Sequence, residues 1–374
     1  MNIVVVLTYE MSLEKWDKDG ILDRELKLYK QLSKNFGYKF TFITFGNESD
    51  LKYLSIVPNS QIIPIYKLFK LRKTKIIKFI QSLFVYRKIN LELKSPDLIK
   101  TNQLMGFWVC LGIKFRFKCP LIIRTGYDIY EFSIKNKKNI LKRFGYFFLT
   151  QIAIFISDVY SVTTNANKSF LKKNFIFNNE KILIMPNWVT TNIERKEIIN
   201  RKNEIITVGR LEKQKNFKYL IEEFSNTDNK INIIGEGSLK TDLKKLSQEK
   251  NTKVSFLEKM PNSELVQFLS NFKYFVLPSF FEGNPKVVLE AMAAGCVVIV
   301  NNFSGISEII KSEIDGFVIE CKENNLKNLI NFLDQNEEVQ KDISQNGISK
   351  VEKNFSLDSY VEIENELYLD LVND

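Results

Sequence analysis

Two glutamates eight positions apart, Glu282 and Glu290, flank a stretch in which charge, proline and small residues are set out as a ligand site needs them. Between them runs Gly283-Asn284-Pro285-Lys286-Val287. Asparagine is a favoured helix N-cap and proline suits the first helical position, so the sequence predicts a helix capped by Asn284 and opening at Pro285. The amides of Lys286 and Val287 then point out of the positive end of the helix, where phosphate binds. A carboxylate beside an anion site does not hold the anion; as a pure acceptor it suits the hydroxyls next to it. The chemistry is therefore that of a phosphorylated sugar, with Glu282 ahead of the helix and Glu290 about a turn and a half into it.

The elements that position these groups are readable as well. Residues 274–277 form an apolar run that reads as a buried parallel strand ending at Pro278, and Val287, Val288, Ala291, Met292 and Gly295 give the helix one packing face. Upstream, a strand over 204–208 leads into Gly209-Arg210-Leu211-Glu212-Lys213-Gln214-Lys215-Asn216, with Asn216 available to cap the next helix. Further strands are expected at 232–234, 254–257 and 296–300. The first half alternates strand-like runs, at 3–8, 40–45, 61–65, 98–101, 121–124, 159–162 and 182–185, with helical patterns. That alternation is the signature of parallel sheets covered by helices, which bind ligands at the carboxyl ends of their strands.

The pattern Pro278-Ser279-x-x-Glu282-Gly283-Asn284-Pro285, continued by Glu290-Ala291-Met292-Ala293-x-Gly295, resembles the nucleotide-sugar site of retaining glycosyltransferases of family 4. The resemblance implies a GT-B fold: α/β, with two Rossmann-like parallel-sheet domains facing a central cleft. It implies that Glu282 bonds the donor sugar, Glu290 the ribose, and the amides at Lys286 and Val287 the diphosphate, with Gly209, Gly283, Asn284 and Pro285 also in the substrate site. Gly209-Arg210-Leu211 resembles an element whose Arg and Lys hold the diphosphate, places taken by Arg210 and Lys215. Two cations offset the charge that develops as the sugar–oxygen bond breaks, so no metal and no other cofactor is expected beside the nucleotide-sugar co-substrate. By the same resemblance Met260 is a contact candidate for the base, and Ser304-Gly305-Ile306-Ser307-Glu308 lies near the donor. Pro186-Asn187-Trp188-Val189 resembles the element that ends the first domain, with Trp188 where the family has glycine.

The layout implied is a domain over 1–189, a polar linker over 190–203, a nucleotide-sugar domain over 204–356 and a final helix over 357–374 crossing back to the first domain. In the first half, a loop from Tyr9 to Asp19 ends at Gly20, where the family commonly carries a glycine-rich loop toward donor and acceptor. Arg124 and Asp128, after a strand, are polar candidates to meet the sugar or acceptor. Asp17-Lys18-Asp19 lies in a polar loop and not at the end of an apolar strand, which argues against a metal-binding pair.

With 374 residues the chain is long enough for two ordinary domains, and its 44% hydrophobic content is that of a folded protein. It has no histidine, which excludes a His-based triad, a His-ligated metal and a His general base. Four cysteines without metal or redox spacing read as buried thiols of a reducing compartment. No signal peptide and no membrane span are read, so the expectation is a cytoplasmic protein, peripheral on the inner face of the plasma membrane. The charge is uneven: residues 1–190 hold 31 Lys+Arg against 14 Asp+Glu, the remainder 23 against 30.

Such a first half suits an anionic membrane or a lipid-linked glycan acceptor. Between residues 51 and 91 there is no acidic residue, and Lys67, Lys70, Arg72, Lys73, Lys75, Lys78, Arg87 and Lys88 surround Ile76, Phe79, Ile80, Leu83 and Phe84. Two readings stand, a helix on an anionic leaflet and a crossover helix packed on its own sheet. A second basic cluster, 135–143, precedes an apolar run whose part from Phe148 to Ile156 reads as core. The reading is a glycosyltransferase of cell-surface polysaccharide synthesis. Its rivals are an inactive GT-B partner subunit, an epimerase of the same fold, and a basic nucleic-acid-binding protein, the last disfavoured because no nucleic-acid module is present.

Overall fold

The computed structural model describes residues 1–69, 74–176 and 179–373. Lys70, Arg72 and Lys73 of the basic cluster lie outside the described residues, as do the side chains of Lys75 and Ile76. The chain divides into two compact units, Met1–Met185 with Val361–Asp374, and Pro186–Tyr360.

The first unit contains seven strands: β1 (Asn2–Val6), β2 (Lys39–Thr44), β3 (Gln61–Pro64), β4 (Leu98–Thr101), β5 (Leu121–Arg124), β6 (Val159–Val162) and β7 (Ile182–Ile184). They form one sheet in the order β3-β2-β1-β4-β5-β6-β7, with parallel neighbours throughout. The apolar runs pair in this way because helices cover both faces and leave no strand an exposed side. Val4, Val6, Ile99, Leu121, Ile123 and Tyr160 lie in one core cluster with the helix Phe107–Phe117.

Helix Leu357–Asn373 supplies the C-terminal part of this unit. Lys100, central in β4 and 1% exposed, donates to both carboxylate oxygens of Glu364, and its Nζ lies 3.3 Å from the Tyr368 hydroxyl. Burial lowers the pKa of Lys100 and the Glu364 charge opposes that shift. Tyr38 donates to Asn365 Oδ1 at 2.5 Å beside this pair.

The second unit has six parallel strands, β8 (Lys202–Val208), β9 (Lys230–Ile234), β10 (Lys253–Leu257), β11 (Phe272–Leu277), β12 (Val297–Asn301) and β13 (Phe317–Ile319), in the order β10-β9-β8-β11-β12-β13. The chain fills one half of the sheet outward from β8 and then returns to start the other half at β11. The crevice of such a sheet opens where the order reverses, between the carboxyl ends of β8 and β11.

The structure corrects two expectations and adds one strand. The stretch after β1 is not all loop: it contains the helix Leu13–Lys18, capped by Ser12, and Gly20 sits at φ 70° in the turn to the helix Leu22–Phe36. Edge strand β13 goes unread in the sequence because only three residues pair. Phe148 to Ile156 is core on one face only: Ala153 and Ile154 lie in the core cluster with Leu149 and Ile156 packed against it, while Phe148, Ile152 and Phe155 are exposed. A helix apolar on every side gives no periodic contrast from which the buried face could be read.

Helix Lys75–Phe84 packs within its unit on one side and is exposed on the other, so the two readings are compatible. Trp108 Nε1 donates to Ser82 Oγ at 3.0 Å and the Phe79 ring meets Trp108 edge-on at 5.2 Å, so it packs on another helix, with Ile77, Ile80 and Phe84 exposed.

Removing one partner of a buried ion pair strands the other charge, so Lys100→Met is expected to destabilise the first unit by about 3–5 kcal/mol. Lys100→Met combined with Glu364→Leu should recover most of that loss, as read by urea unfolding of the three proteins.

Candidate active site

At the reversal point of the second sheet two loops meet, one leaving β8 at Gly209 and one leaving β11 at Pro278. They are stitched together from end to end. Phe280 N–H donates to Gln214 O at 2.9 Å, Gln214 Nε2 to Phe281 O at 2.7 Å, and Asn216 Nδ2 to Pro278 O at 3.2 Å. At the centre Lys215 Nζ lies 2.6 Å from Glu282 Oε1, with the two side chains only 13% and 11% exposed. Two residues 67 positions apart in sequence, each singled out for a role at the donor, thus form one ion pair.

The Gly209 loop is held from behind by the turn after β9. Leu211 N–H donates to Glu236 O and Leu239 N–H to Leu211 O, both at 2.9 Å. A Cβ on Gly235, at φ 149°, would come 2.0 Å from Gly209 O, so only glycine permits the two backbones to touch. Glu212 accepts from Ser238 N–H and Oγ at 3.1 and 3.0 Å; these bonds, with Arg210 near, hold its carboxyl below the usual range. Arg210 itself is exposed. The Lys215 stem crosses Gly209, where an added Cβ would stand 3.0 Å from Lys215 Cε.

Beyond Glu282 the helix runs over Lys286–Ala293, and its start is one residue later than expected: Pro285 is the N-cap, at φ −71° and ψ 102°, and no side chain caps it. Asn284 has another role. Its carbonyl accepts from Asn187 Nδ2 at 2.7 Å, and its Oδ1 is buried with no hydrogen-bond partner among the described residues. Ser279 Oγ is likewise buried and unpartnered. Such atoms are costly unless a ligand or water completes them. Gly283 and Pro285 are buried, and the amides of Lys286 and Val287 occupy the first helical turn, facing out of its end. The Lys286 ammonium sits 4.9 Å from the centre of the buried Trp188 ring.

Glu290 is 2% exposed and accepts from Asn262 Nδ2 at 2.8 Å. Met260 is half-buried and packs against the same core cluster as Val287, a cluster that also holds Ile306 of the loop after β12. Asn216 stands at the N-cap of helix Phe217–Glu223 but makes no side-chain cap bond, its amide being spent on Pro278. The structure thus brings Gly209, Lys215 and Glu282 into contact just ahead of the Gly283-Asn284-Pro285 turn into helix Lys286–Ala293, while Arg210 is exposed beside Gly209 and Glu290 is bonded to Asn262. A recess of about 650 Å³ lined by Ser312, Phe317, Asn325 and Phe332 lies by edge strand β13 and contains none of these residues.

Each polar candidate of the first unit has a partner within that unit. Arg124 is 7% exposed, with Nη1 3.4 Å from Asn102 O. Asp128 caps helix Ile129–Lys135, its Oδ1 accepting from Glu131 N–H at 2.7 Å. Its Oδ2 is buried without a partner among the described residues, and burial pushes its pKa up to about 7. The reversal point of this sheet lies between β1 and β4. There Asn102 N–H donates to Val6 O, Tyr9 N–H to Met105 O, and Gln103 Oε1 accepts from Gly126 N–H at 2.8 Å. Asn102 and Gln103 carry a sequence signal of their own, a polar pair directly after a buried strand. Asn187, Gln214 and Asn262 were missed as site residues, because their partners are distant in sequence.

The fold has many solved counterparts. A sucrose-phosphate synthase from Thermosynechococcus elongatus aligns over 99% of each chain with a TM-score of 0.83 at 16% identity. HepE of Anabaena, solved in complex with UDP-glucose, aligns over 99% of this chain and 100% of its own with a TM-score of 0.74 at 14% identity. The pair of Rossmann-like parallel-sheet units is a GT-B fold. Residues 189–350 match the family Glycosyl transferases group 1. The UDP-Gal:alpha-D-GlcNAc-diphosphoundecaprenol alpha-1,3-galactosyltransferase of Escherichia coli is 27% identical over 328 residues, 80% of this chain and 82% of its own length.

Native Asp128 keeps its proton up to about pH 7, whereas in the unfolded chain it ionises near the ordinary value of 3.8. The native state therefore binds the extra proton between those values, and stability falls as pH rises through that window. Asp128→Asn keeps the cap and cannot ionise. Thermal melts should show the variant gaining on the wild type from pH 5 to pH 8, by about 2–4 kcal/mol at the upper end.

Proposed function

We propose that the chain transfers a glycosyl group from a nucleoside-diphosphate sugar to a hydroxyl of a glycan acceptor, with retention and without a metal ion, in the synthesis of a cell-surface polysaccharide. The observation that carries this reading is the Lys215–Glu282 pair at the end of a helix whose neighbour Asn284 holds a buried oxygen with no partner among the described residues. Cation, helix end and acceptor oxygens within one set of loops match the three parts of such a donor: diphosphate, glycosidic carbon and sugar hydroxyls.

In this reading the diphosphate lies on the amides of Lys286 and Val287 and between Arg210 and Lys215. Glu282 accepts from sugar hydroxyls while its bond to Lys215 fixes the carboxylate. Glu290, oriented by Asn262, takes the ribose hydroxyls. As the bond between the anomeric carbon and the phosphate oxygen breaks, its electron pair leaves with the diphosphate, and the two cations offset the charge that appears there. The acceptor oxygen bonds the anomeric carbon from the same face, and its proton passes to the departing phosphate oxygen. The name of the Escherichia coli relative, with a UDP-sugar donor and a diphosphoundecaprenol-linked acceptor, supports a lipid-linked acceptor for this chain. The basic first half supports it too, since that acceptor carries a diphosphate.

The test is transfer of labelled hexose from UDP-, GDP- and ADP-linked donors to a lipid-diphosphate glycan. Glu282→Ala and Arg210→Ala should each lower turnover by about 100-fold or more, the exposed Arg210 with an unchanged melting curve and Glu282 with a lowered one because Lys215 loses its partner. Wild-type turnover in either variant, or no release of nucleotide by the wild type from any donor, overturns the reading.

A further inference from the structure

Helix Ile140–Ile156 shows a face that nothing among the described residues of its unit covers. Leu141 is 77% exposed, Phe144 57%, Phe148 56%, Ile152 46% and Phe155 79%. Their spacing of three, four, four and three residues sets them in one stripe along a helix about 25 Å long. Ile176, 87% exposed, is tied beside it, because Gln151 Nε2 donates to Ile176 O at 2.8 Å and Gln151 Oε1 accepts from Ile176 N–H at 3.0 Å. A contiguous apolar patch of this kind marks a binding surface.

The charge around the stripe says what binds. From residue 132 to residue 157 there is no Asp or Glu, while Lys137, Lys138 and Lys142 are exposed at the start of the helix. At its other end Lys181 Nζ lies 3.1 Å from Ser157 O, and Lys172 and Lys173 are exposed on the neighbouring helix Asn165–Asn174. Two copies of the chain packed through this face would bring lysines together in either orientation, which disfavours self-association. Among the described residues no helix is long and apolar enough to cross a membrane.

We propose that this face docks the protein on an anionic phospholipid bilayer, the helix lying in the plane of the interface with Leu141, Phe144, Phe148, Ile152 and Phe155 among the upper acyl chains and the lysines among the headgroups. Apolar burial and headgroup attraction both contribute to such binding. The proposal is independent of the transfer reading, because vesicle binding requires no nucleotide sugar and no turnover.

The experiment is sedimentation of the full chain with vesicles of phosphatidylglycerol and phosphatidylcholine mixed one to two, and of phosphatidylcholine alone, at about 0.05 M and about 0.5 M salt. The wild type should bind the anionic vesicles at least about tenfold more tightly than the neutral ones at the lower salt. Leu141→Ser, Phe148→Ser and Phe155→Ser combined should weaken binding about tenfold or more at both salts. Lys137→Gln, Lys138→Gln and Lys142→Gln combined should remove the anionic preference. Phe155→Trp in the otherwise native chain should give blue-shifted emission on anionic vesicles, a readout that does not rely on the triple variants folding. The proposal is overturned if the wild type stays in the supernatant, if the serine variant sediments like the wild type, or if the emission of the Phe155→Trp protein does not move. It is equally overturned if the stripe proves to drive dimerisation in solution with no vesicle binding.

Discussion

The second unit depends on keeping a lysine and a glutamate in contact across the reversal point of its sheet. Lys215 and Glu282 arrive from different strands, and a nearly buried charge on either without the other would be costly. Their pairing therefore sets the separation of the two loops, and the backbone bonds through Gln214 and Asn216 hold it there. The same demand reaches the next layer: the Gly209 loop must sit against Gly235 with no side chain between. A site made in this way is ready before a ligand arrives, which keeps the ordering cost of binding low.

The helix Lys286–Ala293 is fixed by residues 187–201, which join the element read as the end of the first domain to the polar linker after it. At its start Asn187 holds the Asn284 carbonyl and Trp188 lies under the Lys286 ammonium. At its end Arg195 donates to Ala293 O at 2.7 Å and Arg201 to Ala294 O at 2.9 Å, while Gly295, at φ 77°, leaves room for the Arg201 guanidinium. Cations at the carboxyl end complement the negative end of the helix dipole. The Trp188 that stands where the resemblance has glycine thus contributes a ring surface for a cation at the helix start.

Much of this was legible in the chain because the signals were local. Strands β4, β5 and β6 were read to the residue, since each is a short apolar run closed by turn-forming or polar residues. The helix at the site was legible from Asn284-Pro285, with an error of one position that arose because the Asn284 carbonyl is held by Asn187, a contact 97 residues away. What stayed hidden was of the same long-range kind: the pairing of Lys215 with Glu282, of Asn262 with Glu290, and of Lys100 with Glu364. The apolar helix Ile140–Ile156 misled for another reason, because composition reports how apolar a segment is and not which of its faces the fold covers.

The central claim is that one diphosphate is held by the start of helix Lys286–Ala293 and by the Arg210 and Lys215 side chains together. A crystal structure with a nucleoside diphosphate bound tests it most directly. The account predicts phosphate oxygens within about 3.2 Å of the Lys286 or Val287 amide and of Lys215 Nζ. A nucleotide seated elsewhere in the molecule, or phosphates that leave both the helix end and Lys215 untouched, would contradict it.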